Sequence, residues 1–148
     1  MAAAVLIAAV YMVIAWRIDE RTLPCAIVHH LLDFNRASQA SLKAKTHYAG
    51  AGSYDEDRFP TDADYQAWID GMRRYADQVT APGLSEHAKK AAALVAQWPA
   101  IKARLAAQSE QQKPGESIVD VPAAREFVDL NRDFNAESGA LARACPGR

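Results

Sequence analysis

Six side chains could do chemistry beyond packing: two cysteines, Cys25 and Cys145, and four histidines, His29, His30, His47 and His87. Joined, the two cysteines would close a loop of about 120 residues, for which chain entropy allows about 5 kcal/mol of stabilisation. A bond of that kind belongs to an oxidising compartment. Left apart, they are two free thiols. His29 and His30 stand four and three residues before Asp33, so on a helix one imidazole could share a face with that carboxylate. This is at most half of a metal site, because di-metal bundles repeat Glu-x-x-His on two helices and the motif does not occur here. A surface or capping role is the simpler reading of these histidines.

Other catalytic patterns are missing. The acidic stretch Asp55, Glu56, Asp57 lacks the EF-hand spacing, and there is no Gly-x-Ser-x-Gly elbow, phosphate loop, dinucleotide fingerprint or Cys-x-x-Cys. Pro24 before Cys25 departs from a lipoprotein signal. The expectation is a protein that is not an enzyme and has no catalytic residue, cofactor or metal. With 17 basic and 18 acidic residues the net charge is -1, so no basic field exists to attract nucleic acid.

The cysteines need elements to bring them together, and the first of these begins in a run of sixteen uncharged residues, 1–16, MAAAVLIAAVYMVIAW. As a helix it spans roughly 24 Å, short of a hydrocarbon core of about 30 Å. Continuation through Arg17 towards Arg21, with the arginine stems lying along the acyl region, makes up the difference. Residues 1–21 therefore read as an uncleaved transmembrane anchor. Two rival readings stay open: a secretory signal cleaved after Ala15, and a buried helix of a soluble domain. Ala4 and Ala8 form a small-xxx-small pair, and with Tyr11 they mark a face that could pack on other membrane helices. Arg17 and Arg21 favour a cytoplasmic domain by the positive-inside rule. The cysteines favour the opposite side, and the expectation is an extracytoplasmic domain.

Residues 22–148 read as one extracytoplasmic helical domain. Thr22 can cap a first helix with Pro24 in its first turn, and Ile27, Leu31, Phe34, Ser38 and Leu42 mark its stripe to about residue 48. Thr61 and Asp64 form a capping box for a second helix with the stripe Tyr65, Trp68, Ile69, Met72, Tyr75, Ala76 and Val79. Ser85 can cap a third, which runs through Ala88, Ala91, Ala92, Val95 and Trp98 to about Gln108 and is kinked near Pro99. After a polar loop, Asp120 can cap a fourth with Pro122 in its first turn and Phe127, Leu130, Phe134, Ser138, Leu141 and Cys145 on its stripe. The predicted fold is all-α: a transmembrane helix followed by an antiparallel four-helix bundle. In that topology the end of the last helix returns beside the start of the first, which brings Cys25 and Cys145 together.

This layout, with residues 1–16 apolar and Cys25 and Cys145 bracketing a helical domain, resembles small single-pass accessory subunits of bacterial lipid importers of the Mce type. The resemblance implies a subunit in the cytoplasmic membrane, its domain periplasmic, that stabilises a larger lipid-transport complex of the cell envelope. Its partners would be integral membrane proteins, through the N-terminal helix and the domain, and membrane lipids. The alternative is an extracytoplasmic module binding a lipid or another apolar ligand among Trp68, Trp98, Phe127 and Phe134. Those four are also the candidate partner surface, and as large apolar side chains they have packing as their commonest fate.

Overall fold

A computed structural model describes residues 2–47, 58–111 and 121–147, with side chains from residue 24 onward within those ranges. Five helices are present: α1 (Ala2–Lys45), α2 (Asp62–Gln78), α3 (Leu84–Val95), α4 (Trp98–Glu110) and α5 (Pro122–Ala144). The all-α expectation holds among the described residues. Their only β-type pairing is an isolated antiparallel bridge between His47 and Arg58.

Helix α1 corrects the expected start at Thr22. It is continuous for 44 residues with Pro24 inside it rather than in its first turn. Proline withholds one backbone donor and crowds the preceding turn at a cost of about 3 kcal/mol. Ending one helix and nucleating another would cost as well, since a first turn fixes three residues for a single hydrogen bond. The packing face of Ala4, Ala8 and Tyr11 and the transmembrane assignment of residues 1–21 rest on side chains outside the described residues. Among those described, no helix is long and apolar enough to cross a membrane.

Helices α1, α2, α3 and α5 pack in a closed ring, with α4 extending α3 along α5. Across two of the seams the pairings descend on one helix as they climb on the other, so those neighbours are antiparallel. Between α1 and α2 the partners are Lys45 with Asp64, Asn35 with Trp68, and Phe34 with Tyr75. Across α5, His87 meets Glu137, Trp98 meets Phe127 and Arg104 meets Glu126. Alanines Ala88, Ala91 and Ala92 of α3 are buried and let its neighbours approach closely. Val28, Leu31, Met72, Val79, Val95 and Leu141 fill the centre.

Two helix boundaries have local causes that differ from expectation. The third predicted helix is divided in two, and the interruption falls at Ala96 and Gln97, ahead of Pro99, which occupies the first turn of α4. Pro99 has no N–H to offer the Val95 carbonyl four residues earlier. The Gln97 N–H bonds instead to the Leu94 oxygen at 3.0 Å, and the ladder resumes with Ile101 N–H to Gln97 at 3.2 Å. Helix α3 starts one turn-residue before the expected Ser85 cap. Gly83 is its N-cap at φ 81°, a conformation that disfavours other residues. Asp120, the expected cap of the last helix, lies outside the described residues.

The seam between α1 and α2 closes over Gly71. A Cβ there would lie 1.9 Å from Phe34 Cζ and 2.3 and 2.8 Å from two further carbons of that ring. Alanine favours a helix interior over glycine by about 1 kcal/mol, but overpacking costs about 1 to 3 kcal/mol. Because Phe34 is held between Gly71 and Tyr75, whose ring centroid is 5.3 Å away, the steric cost dominates. Gly71→Ala should therefore destabilise by about 1 to 2 kcal/mol in chemical denaturation. The Phe34→Leu background should remove most of that loss, and a stabilised single variant would contradict the seam.

Candidate functional site

Cys25 on α1 and Cys145 at the end of α5 form a disulfide, with their Cα atoms 5.3 Å apart and a sequence separation of 120. Cys145 is 2% exposed, on the same buried stripe as Leu141 and Phe134. The pairing expected from the helix count is thus present, and it fastens the last helix to the first.

Of the four aromatic residues proposed to line a ligand site, Trp68, Trp98 and Phe127 pack ring against ring and Phe134 borders them. Trp68 and Trp98 meet edge to face with ring centroids 5.9 Å apart, and the Phe127 ring centroid lies 4.7 Å from that of Trp98. Phe134 lines the same small cavity as Trp68 and Trp98. Its volume is about 10 Å³, the space of a single water at most, whereas sites for small organic ligands run to about 300 Å³ and above. Trp68 and Phe134 are 5% and 7% exposed, so this cluster holds α2, α4 and α5 together.

Three polar residues beside that cavity were not foreseen: Asn35, Gln39 and Asn131. Trp68 Nε1 donates to Asn35 Oδ1 at 3.1 Å, and Gln39 Nε2 donates to the same oxygen at 3.4 Å. A buried indole N–H needs such an acceptor. Asn35 extends the series Val28, Leu31 by one more turn, and that position is the only trace it leaves in the sequence. Ser138 Oγ, by contrast, is buried with no hydrogen-bond partner.

The histidine and carboxylate chemistry disperses. Asp33 accepts from Arg36 at 2.9 Å rather than from His29 or His30. His87 pairs with Glu137 across α3 and α5, fifty residues apart and with no local pattern linking them. Among the described residues no group of three histidine, cysteine or acidic side chains is placed to hold a metal.

The far end of the bundle from the disulfide carries the strongest local electrostatics. Thr61 N–H donates to Asp64 Oδ2 at 2.9 Å, the Thr61 hydroxyl donates to the same oxygen at 2.8 Å, and Asp64 N–H returns to Thr61 Oγ1 at 3.3 Å. The expected capping box is therefore formed. Lys45 adds a hydrogen-bonded ion pair with Asp64. That ammonium, followed by the Thr61 N–H and hydroxyl, lowers the Asp64 pKa to about 2. A carboxyl depressed in the folded state contributes stability above its unfolded value, near 3.8, and loses it as pH falls through about 2. Asp64→Asn should accordingly lower the melting temperature at pH 7. The gap to the parent should narrow between pH 4 and pH 2 in thermal circular dichroism, and a pH-independent gap would separate Asp64 from the cap.

The geometry defines a disulfide-closed, all-helical bundle with an aromatic cluster between α2, α4 and α5. No protein-family model matches the chain, and no curated protein or solved structure matches it significantly.

Proposed function

We propose that this chain is a single-pass membrane subunit whose extracytoplasmic bundle serves as a structural part of a larger envelope assembly, in the manner of accessory subunits of lipid importers, and catalyses nothing itself. The observation that carries the reading is the Cys25–Cys145 disulfide, a bond suited to an oxidising compartment. It forms on the same continuous helix that begins in the apolar run. The aromatic cluster supports a scaffold over a lipid-binding module, since about 10 Å³ lies open among its rings. The cytoplasmic membrane is the proposed location, with the bundle on the periplasmic side.

Two measurements test this. Alkylation of intact cells followed by non-reducing electrophoresis should find both cysteines protected until reductant is added. Isolation of the full chain from its native membrane in mild detergent should yield a complex of fixed stoichiometry with a membrane-embedded transport component. A chain recovered as a monomer in the aqueous fraction would overturn the proposal.

A further inference from the structure

The helices of the ring are not joined equally. Helix α5 makes its largest interface with α3, and its meeting with α1 is the smallest of the five main interfaces. The disulfide spans that smallest one.

Its register can be counted from the covalent rung. On α1 the residues seven and fourteen beyond Cys25 are Leu32 and Gln39, and on α5 the residues seven and fourteen before Cys145 are Ser138 and Asn131. Seven residues make about two helical turns, so each trio lies on one face. Gln39 and Asn131 border the same small cavity, which together with the disulfide makes α1 and α5 antiparallel. Three rungs result: Cys25 with Cys145, Leu32 level with Ser138, and Gln39 level with Asn131.

Only the first of them is strong. Ser138 Oγ is buried without a hydrogen-bond partner, so closing the seam strips that hydroxyl of water and returns nothing. At the third rung two amides flank a space of about 10 Å³, enough for a single water, in place of an apolar contact. Each amide nitrogen donates within its own helix, Gln39 to Asn35 Oδ1 at 3.4 Å and Asn131 to the Phe127 carbonyl at 2.9 Å. The neighbouring seams are better joined. Helix α1 is held on α2 by the Lys45–Asp64 ion pair, the Trp68–Asn35 hydrogen bond and the Phe34–Tyr75 ring contact. Helix α5 is held on α3 and α4 by His87 with Glu137, Arg104 with Glu126, and Trp98 against Phe127.

We infer that the Cys25–Cys145 bond is a redox latch on the α1–α5 seam: a dithiol opens it, and α1 then parts from α5 while staying on α2. Cys25 is half-buried and Cys145 is 2% exposed, so the attacking thiolate reaches Cys25 Sγ. The S–S bond breaks and Cys145 leaves as a thiolate, which takes up a proton. The donor's second thiol then displaces Cys25 from the mixed disulfide. Both cysteines end as thiols, and the donor, having given two electrons and two protons, carries the disulfide away. With the bond gone, the Ser138 hydroxyl and the two amides regain water, which favours the open seam. The latch belongs to the bundle and does not require residues 1–21 to lie in a membrane.

Hydroxyl-radical footprinting of the full chain in mild detergent, read by mass spectrometry, tests it. The oxidised chain is compared with the chain reduced by dithiothreitol and with the Cys25→Ser, Cys145→Ser variant, which has no thiols to consume the radical. Leu32 and Leu141, the latter one turn before Cys145, should be labelled severalfold faster in both opened forms. Labelling of Phe34 and Tyr75, and of Trp98 and Phe127, should stay unchanged, because those pairs belong to seams that hold. A rise at every one of these positions means that the whole bundle loosens, and it overturns the latch. No rise at Leu32 and Leu141 means that packing alone closes the seam, and it overturns the latch as well. Dithiothreitol should also reduce the bond in the folded chain, and a bond that resists until denaturant unfolds the bundle contradicts the proposal.

Discussion

Cys25→Ser should lower the melting temperature of the chain by roughly 10 to 20 °C in thermal circular dichroism, and reductant should bring the parent to the same midpoint. The bond closes a loop of 120 residues, for which chain entropy sets a ceiling of about 5 kcal/mol, while removal of a native disulfide typically costs about 2 to 5. Several features place this one towards the upper part of that range. Helices α1 and α5 meet over the smallest of the five main helix interfaces, so the covalent link supplies much of what closes the ring between them. Cys145 is fully enclosed, and the serine variant leaves its thiol facing a hydroxyl inside apolar surroundings. Set against a total stability of about 5 to 15 kcal/mol for a domain, the loss is a large fraction. The Cys25→Ser, Cys145→Ser double variant should match the single one, because the two changes remove one bond. A midpoint shift below about 2 °C would mean that packing alone closes the ring.

Much of this arrangement was legible because hydrophobic period marks which face of a helix is buried. All seven residues of the α2 stripe are buried or half-buried, and the Thr61–Asp64 box is formed. The α5 stripe ends on Cys145, so counting helices was enough to pair it with Cys25. What period does not encode is how two helices rotate and slide against each other. The His87–Glu137 pair and the seating of Phe34 on Gly71 depend on that relation, and neither leaves a local signal. Asn35 carries no signal of its own, because a polar residue on an apolar stripe reads as a gap until its partner, the Trp68 indole, is known. The boundary errors share another cause. Pro24 and Ser85 each suit a helix start, yet chain direction decides whether one is needed. A helix already propagating runs through Pro24, and the turn at Gly83 begins α3 before Ser85 can cap it.

Trp68→Ala should destabilise the chain by about 3 to 5 kcal/mol in denaturant unfolding, and Trp68→Phe by about 1 to 2. The two variants separate the ways this side chain acts. Alanine removes the ring that packs edge to face on Trp98 and opens a void between α2 and α4 that the buried alanines of α3 have no side-chain length to fill. Phenylalanine keeps most of the apolar contact but deletes the N–H, leaving Asn35 Oδ1 with only the longer bond from Gln39. Should the alanine variant be too unstable to isolate, the phenylalanine variant still measures the hydrogen bond, and a cost near zero would show that Asn35 is satisfied by water. The same pair bears on what the cluster is for. If these rings formed a lipid pocket, enlarging it with alanine would alter a bound adduct seen by native mass spectrometry, with little loss of stability. If they are the packed interior of a scaffold, stability falls steeply and no adduct accompanies either protein. A cost below about 1 kcal/mol for alanine would move Trp68 out of the core and return the aromatic cluster to consideration as a binding surface.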